Sequence, residues 1–160
     1  MRFTGEVTGA MRLRLAIFLS LLIFWCPIAA LSQSAPLVGV WQEPSGSVIR
    51  IGTCANELCL WLIAISKSAP TERDIHNPDP ALRSRALCGL KIGIGFKMSD
   101  PNHASGGTLY DPKSGKTYRG EMSVVNSKLE LRGYVGIPLF GRSEIWTVPT
   151  EVPPCRQPHP

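Results

Sequence analysis

The chain has 160 residues, the length of one ordinary domain, and a formal net charge of +5. Its charges are scattered with no block of like sign, which argues against nucleic acid as a partner. Basic residues near the start carry part of the surplus: without Arg2, Arg12, Arg14 and Glu6, the rest holds 14 basic and 11 acidic residues, net +3.

Arg12 and Arg14 precede "LAIFLSLLIFW", an apolar run of eleven residues, and "CPIAALSQ" follows with Ala30 and Ser32. That order is a secretory signal peptide, with cleavage expected after Ser32. A membrane anchor is the rival, but the run falls short of the ~20 residues that span a bilayer. Cys26 follows Phe24-Trp25, not the small residues a lipidated cysteine prefers. Met11 is an alternative start, because the signal is complete from there. The expected organisation is a signal peptide over 1–32, a β domain over 33–148, and a proline-rich tail over 149–160.

After cleavage Cys54, Cys59, Cys88 and Cys155 remain. An even number in an exported chain predicts two disulfides out of three possible connectivities. Zinc is the alternative, but Cys54 and Cys59 are spaced C-x4-C and His76, His103 and His159 fall at no ligand spacing, so no metal or other cofactor is expected.

Glycine and proline recur every eight to twelve residues, and the segments between them alternate apolar and polar, which predicts an antiparallel sandwich or barrel. The first strand is "LVGVW", Leu37 to Trp41. "SVIRIGTC" and "LCLWLIAI" form a hairpin with Asn56-Glu57 as its loop, which sets Cys54 opposite Cys59 and predicts their disulfide. Cys88–Cys155 then tethers the tail. The same register turns Ile49, Ile51, Leu60 and Leu62 inward. Val48, Arg50, Gly52 and Trp61 fall on the other face, where Trp61 needs cover from a loop or the tail.

From Ser66 to Leu87 no strand pattern appears, and so long a connection suggests a lid or a binding loop. In "GLKIGIGFK" the residues Leu90, Ile92, Ile94 and Phe96 share the inner face. "MSDPNHASG" reads as a loop before "GTLYD". "KTYRGEMSVV" places Tyr118, Met122 and Val124 together, and "KLELRGYV" does the same for Leu129 and Leu131. "RSEIWTV" is the last of eight strands. Eight strands can close into an up-and-down barrel that is filled by side chains or holds one small ligand, and closure removes exposed edges, so the barrel is preferred to a sandwich.

"DIHNPDPALRSRALCGL", "GGTLYDPKSGKTY" and "LRGYVGIPLFGRSEIW" together resemble the bacterial exported family called domain of unknown function 2147, from about Gly39 to Trp146. The resemblance implies a small periplasmic protein with a lipocalin-like (calycin) barrel, and no established activity. Calycins often begin with G-x-W, as in Gly39 to Trp41, and place an arginine or lysine of the last strand over that tryptophan. Here the corresponding position is Val148, so the contact would have to come from Arg142.

The connection "GIPLFG" between the last two strands holds Leu139 and Phe140, which either plug the end of the barrel or line the mouth of a pocket beside Arg132, Tyr134 and Arg142. Asp74, Asn77, Arg83 and Arg85 on the long loop form an ion-pair and capping network in preference to an anion site. Asp111 reads as turn chemistry. Catalysis has little support. "SGKT", Ser114 to Thr117, lacks the glycine and the helix of a phosphate loop, and Glu121, Glu130 and Glu144 are expected to face solvent. The leading expectation is a small apolar or amphipathic ligand held inside by Ile49, Ile51, Leu60, Leu62, Ile92, Ile94, Phe96, Tyr118, Met122 and Leu131. An envelope interaction module with a filled barrel comes second, and an enzyme third.

Overall fold

Turn residues punctuate short alternating segments throughout the chain, and each segment becomes a strand. The computed structural model describes residues 36–155; the expected signal peptide and the end of the tail lie outside them. The strands are β1 (Gly39–Gln42), β2 (Val48–Cys54), β3 (Glu57–Ala64), β4 (Lys91–Asp100), β5 (His103–Asp111), β6 (Lys116–Val125), β7 (Lys128–Tyr134) and β8 (Arg142–Trp146). Two single 3-10 turns, Pro80–Leu82 and Pro138–Phe140, complete the regular structure of the described residues. Each strand pairs antiparallel with the next in chain order. The sheet meets itself at one bridge, where Gln42 and Thr147 exchange two backbone hydrogen bonds of 2.7 and 3.0 Å. The result is an eight-stranded, up-and-down, nearly closed barrel.

One half of the barrel is solid. Trp41, Leu58, Leu60, Phe96 and Leu129 are almost wholly buried there with Ile51 and Met122. Three glycines make room: a Cβ on Gly107 or Gly120 would lie 2.2 or 2.8 Å from the Phe96 ring, and one on Gly93 would lie 2.9 Å from Leu60. The Trp41 indole donates to the carbonyl of Leu37 at 3.0 Å, and Leu37 is itself tied to Pro101. Among the described residues no cation stacks on Trp41. Val148 is exposed, and Arg142 sits elsewhere, at the barrel mouth.

The β2–β3 hairpin departs from the expected register. Its loop is Ala55-Asn56, with Ala55 at φ 54°, so Cys54 faces Glu57 and Cys59 faces Gly52. Ile51 therefore pairs with Leu60 and Ile49 with Leu62. From Ile49 to Cys54 the slip is two residues, an even number, so those side chains keep their face; a bulge at Val48, which pairs with Ala64, reduces it to one. Cys54 and Cys59 form their disulfide diagonally, with Cα atoms 5.9 Å apart, and Cys88 and Cys155 form the second. Trp61 does point outward, and two cations cover it: Arg50 and Lys91 sit 5.3 and 5.8 Å from its ring.

Strand β4 breaks its own alternation. The β3–β4 register shifts twice, around Gly93 and again before Phe96, and Gly95 takes φ 77°. Ile92 and Phe96 stay inside, but Ile94 between them is turned to solvent, 51% exposed. Strand β5 begins at His103, earlier than expected, because the stretch read as a loop contains only a Pro101-Asn102 turn. Small residues there, Ala104 and Ser105, hide an alternation in which Ala104 is buried.

Candidate functional site

The other half of the barrel is hollow. A cavity of about 960 Å³ opens at the end where the β1–β2, β5–β6 and β7–β8 connections meet the long loop. Its buried wall is apolar: Ile49, Leu62, Ile92, Leu131 and Trp146, with Leu109 half-buried. These residues sit on six strands and point inward by the two-residue period of each strand. The interior is thus filled at one end only.

Polar groups gather toward the mouth. Ser45, Ser47, Ser66 and Ser68 line one side, and Ser66 Oγ donates to the Ser45 carbonyl at 2.6 Å. Tyr118 and Tyr134 line the wall, and Lys116 and Arg142 stand at the rim. A strut crosses the opening: Lys113 Nζ on the β5–β6 turn lies 3.2 Å from both Glu43 carboxylate oxygens of the β1–β2 loop. Glu144 is exposed, as expected, and also lines the cavity mouth, because Arg142, Glu144 and Trp146 share the inner side of β8; its Oε2 accepts from the Trp146 indole at 3.1 Å.

The long loop is an ordered flap on this end. Glu72 to Asp74 and Arg85 to Leu87 run as a short antiparallel ribbon, tied by Asp74 N to Arg85 O and Leu87 N to Glu72 O. Asp74 is fully buried at its centre. Its carboxylate accepts from the Tyr110 hydroxyl at 2.5 Å, from Asn77 at 2.8 Å and from Arg85 Nε at 2.8 Å. Arg85 also lies 5.5 Å from the Tyr110 ring, and Arg83 Nε donates to the Asn77 carbonyl. Burial, and then the hydrogen bond to Asp74, raise the Tyr110 pKa. Asp74, Asn77 and Arg85 thus fasten the flap to Tyr110 of β5, and Arg83 braces the flap from within. The flap also meets the β5–β6 turn, where the Cβ of any residue replacing Gly115 would lie 2.0 Å from the His76 carbonyl oxygen.

The expected ligand-contacting residues divide accordingly. Ile49, Leu62, Ile92, Tyr118, Leu131, Tyr134, Phe140 and Arg142 line the cavity. Ile51, Leu60, Phe96 and Met122 belong to the packed half and do not line this cavity, and Ile94 is outside. Arg132 lies on the outer face because β7 turns Leu131 and Gly133 inward. There it donates to the Pro138 and Leu139 carbonyls at 2.8 and 3.3 Å and holds the β7–β8 loop in shape. The serine cluster and the Lys113–Glu43 strut had no sequence signal, since residues far apart in the chain compose them.

Residues 39–148 match the family model described as an uncharacterized protein conserved in bacteria, DUF2147. No curated protein matches the chain. Among solved structures the chain is similar to protein HP1028 from Helicobacter pylori, described as belonging to the lipocalin family. Identity is 20%, the TM-score is 0.66, and the match covers 74% of this chain and 86% of that one.

Proposed function

The chain belongs to the bacterial family DUF2147, and on that footing we propose that it is an exported, periplasmic carrier or sensor of a small amphipathic molecule. The observation that carries this reading is the half-hollow barrel. A solid end holds the shape, and a cavity of about 960 Å³ at the other end has apolar walls and a polar rim. That volume lies within the range of small-molecule sites, which are mostly apolar with a few polar groups fixing orientation. Burial of a ligand's apolar part against Ile49, Leu62, Leu131 and Trp146 would contribute about 25 cal/mol per Å². Lys116 and Arg142 at the rim favour an anionic head, and Tyr118 on the inner side of β6 offers it a hydroxyl. Two disulfides support an oxidising compartment. Among the described residues no helix is long and apolar enough to cross a membrane.

The test is native mass spectrometry on protein taken from the periplasm, before and after solvent extraction. The expected result is an added mass that extraction removes, followed by uptake of a fluorescent fatty acid by the extracted protein. Leu62→Arg, which places a charge on the cavity wall, should abolish that uptake. A protein that arrives empty and takes up no probe would overturn the reading.

A further inference from the structure

The β7–β8 connection presents apolar side chains to water from a rigid frame. Val135, Ile137, Leu139 and Phe140 are 73, 53, 76 and 78% exposed. The frame is firm: Arg132 grips the carbonyls of Pro138 and Leu139, and Gly141 N donates to Pro138 O at 2.9 Å. Gly141 is packed so closely that a Cβ there would lie 2.8 Å from the Gly133 carbonyl oxygen. A loop with that many internal ties could fold its apolar residues inward. It holds them outward instead, as a contiguous projection, and such patches mark contact surfaces.

Its surroundings select the partner. Arg142 follows the loop directly, Arg119 is paired with Tyr134 at its base, and Lys116 stands on the adjoining rim; all three are exposed. Among the described residues none of the three has a carboxylate within ion-pair distance. Leucine, isoleucine and phenylalanine projecting from a ring of unpaired cations suit an anionic bilayer surface, where the apolar tips enter the acyl boundary and the cations meet headgroup phosphates. The projection also adjoins the cavity mouth, since Val135, Phe140 and Arg142 are part of its lining. We propose that the β7–β8 lip docks the barrel mouth-first on anionic phospholipid membranes. Its use, passage of an amphipathic guest between bilayer and cavity without crossing water, rests on the function proposed above; the docking itself does not.

The experiment is cosedimentation of the disulfide-intact protein with vesicles of phosphatidylglycerol and phosphatidylcholine, beside vesicles of phosphatidylcholine alone. Fatty-acid uptake is measured in parallel. The wild type should bind the anionic vesicles at low salt and release them at high salt. Ile137→Ser combined with Leu139→Ser, at two positions outside the cavity lining, should weaken vesicle binding by about tenfold or more. Arg119→Gln should weaken it on anionic vesicles only. Both variants should keep wild-type fatty-acid uptake. Wild-type protein left in the supernatant, or serine variants that bind as well as wild type, would refute the docking. A wild-type dimer that the serine variants disperse would also refute it, by assigning the lip to a second copy of the chain. Vesicle binding that persists in a protein taking up no fatty acid supports the docking and removes the carrier reading.

Discussion

The Tyr110 hydroxyl donates to the buried Asp74 carboxylate at 2.5 Å, joining β5 to a flap 36 positions earlier in the chain. Tyr110→Phe keeps the ring and its packing under Arg85 but leaves Asp74 Oδ1 without that donor. An unsatisfied buried acceptor costs roughly 1–3 kcal/mol. Urea unfolding should show that loss, and limited proteolysis should cut first within residues 66–87.

The same bond sets an alkaline limit. Burial and the Asp74 contact raise the Tyr110 pKa above the ordinary tyrosine value of about 10. A group with a raised folded pKa stabilises fully below its unfolded pKa, and that stability is lost as pH rises through the folded value. Flap attachment should therefore hold up to about pH 10 and weaken above it, as phenolate forms against the Asp74 carboxylate. The difference in phenolate absorbance between wild type and Tyr110→Phe should titrate above 10. A midpoint below that would contradict the assignment.

The solid half should be intolerant of both loss and gain of volume. Phe96→Ala should cost about 3–5 kcal/mol. Gly107→Ala should destabilise too, because its methyl would occupy the space of the Phe96 ring, 2.2 Å from a ring carbon. Phe96→Leu in the Gly107→Ala background should recover part of the loss, which a double-mutant cycle in urea would read as coupling.

The two disulfides should contribute unequally. Cys88–Cys155 closes a separation of 67 residues and Cys54–Cys59 one of 5. The chain-entropy relation gives about 4 kcal/mol for the first and about 2 kcal/mol for the second. Unfolding midpoints of Cys155→Ser and Cys54→Ser, paired with the matching partner substitution, should fall in that order. The reverse order would show that native-state packing, not chain constraint, dominates.

What the residues disclosed in advance was mainly parity. Met122, Val124, Leu129 and Leu131 alternate without interruption, and their strands lie where the pattern puts them. The β2–β3 hairpin kept its inner face despite a wrong loop position, because a two-residue slip is invisible to a period of two. Ile94 was lost where that period fails: a glycine at φ 77° and two register shifts are backbone events that no neighbour's hydrophobicity reports. Arg132 is expected at the mouth because it adjoins the β7–β8 connection in sequence, but strand parity turns it outward between the inward Leu131 and Gly133. The extent of the cavity was unreadable for a different reason. It depends on which inward side chains find a glycine opposite, as Phe96 finds Gly107 and Gly120, and that pairing exists only across strands.

The Gln42–Thr147 bridge makes this cylinder a split ring, not a hoop. Among the described residues two backbone hydrogen bonds clasp its ends, which contribute on the order of 1–3 kcal/mol, while each of the other seven strand pairings carries a longer ladder. The wall therefore yields most readily along one line, beside Glu144 and Trp146, and a bulky guest of the kind proposed above would strain that line first. Girth, on this construction, is adjustable at the clasp while the packed end keeps its shape.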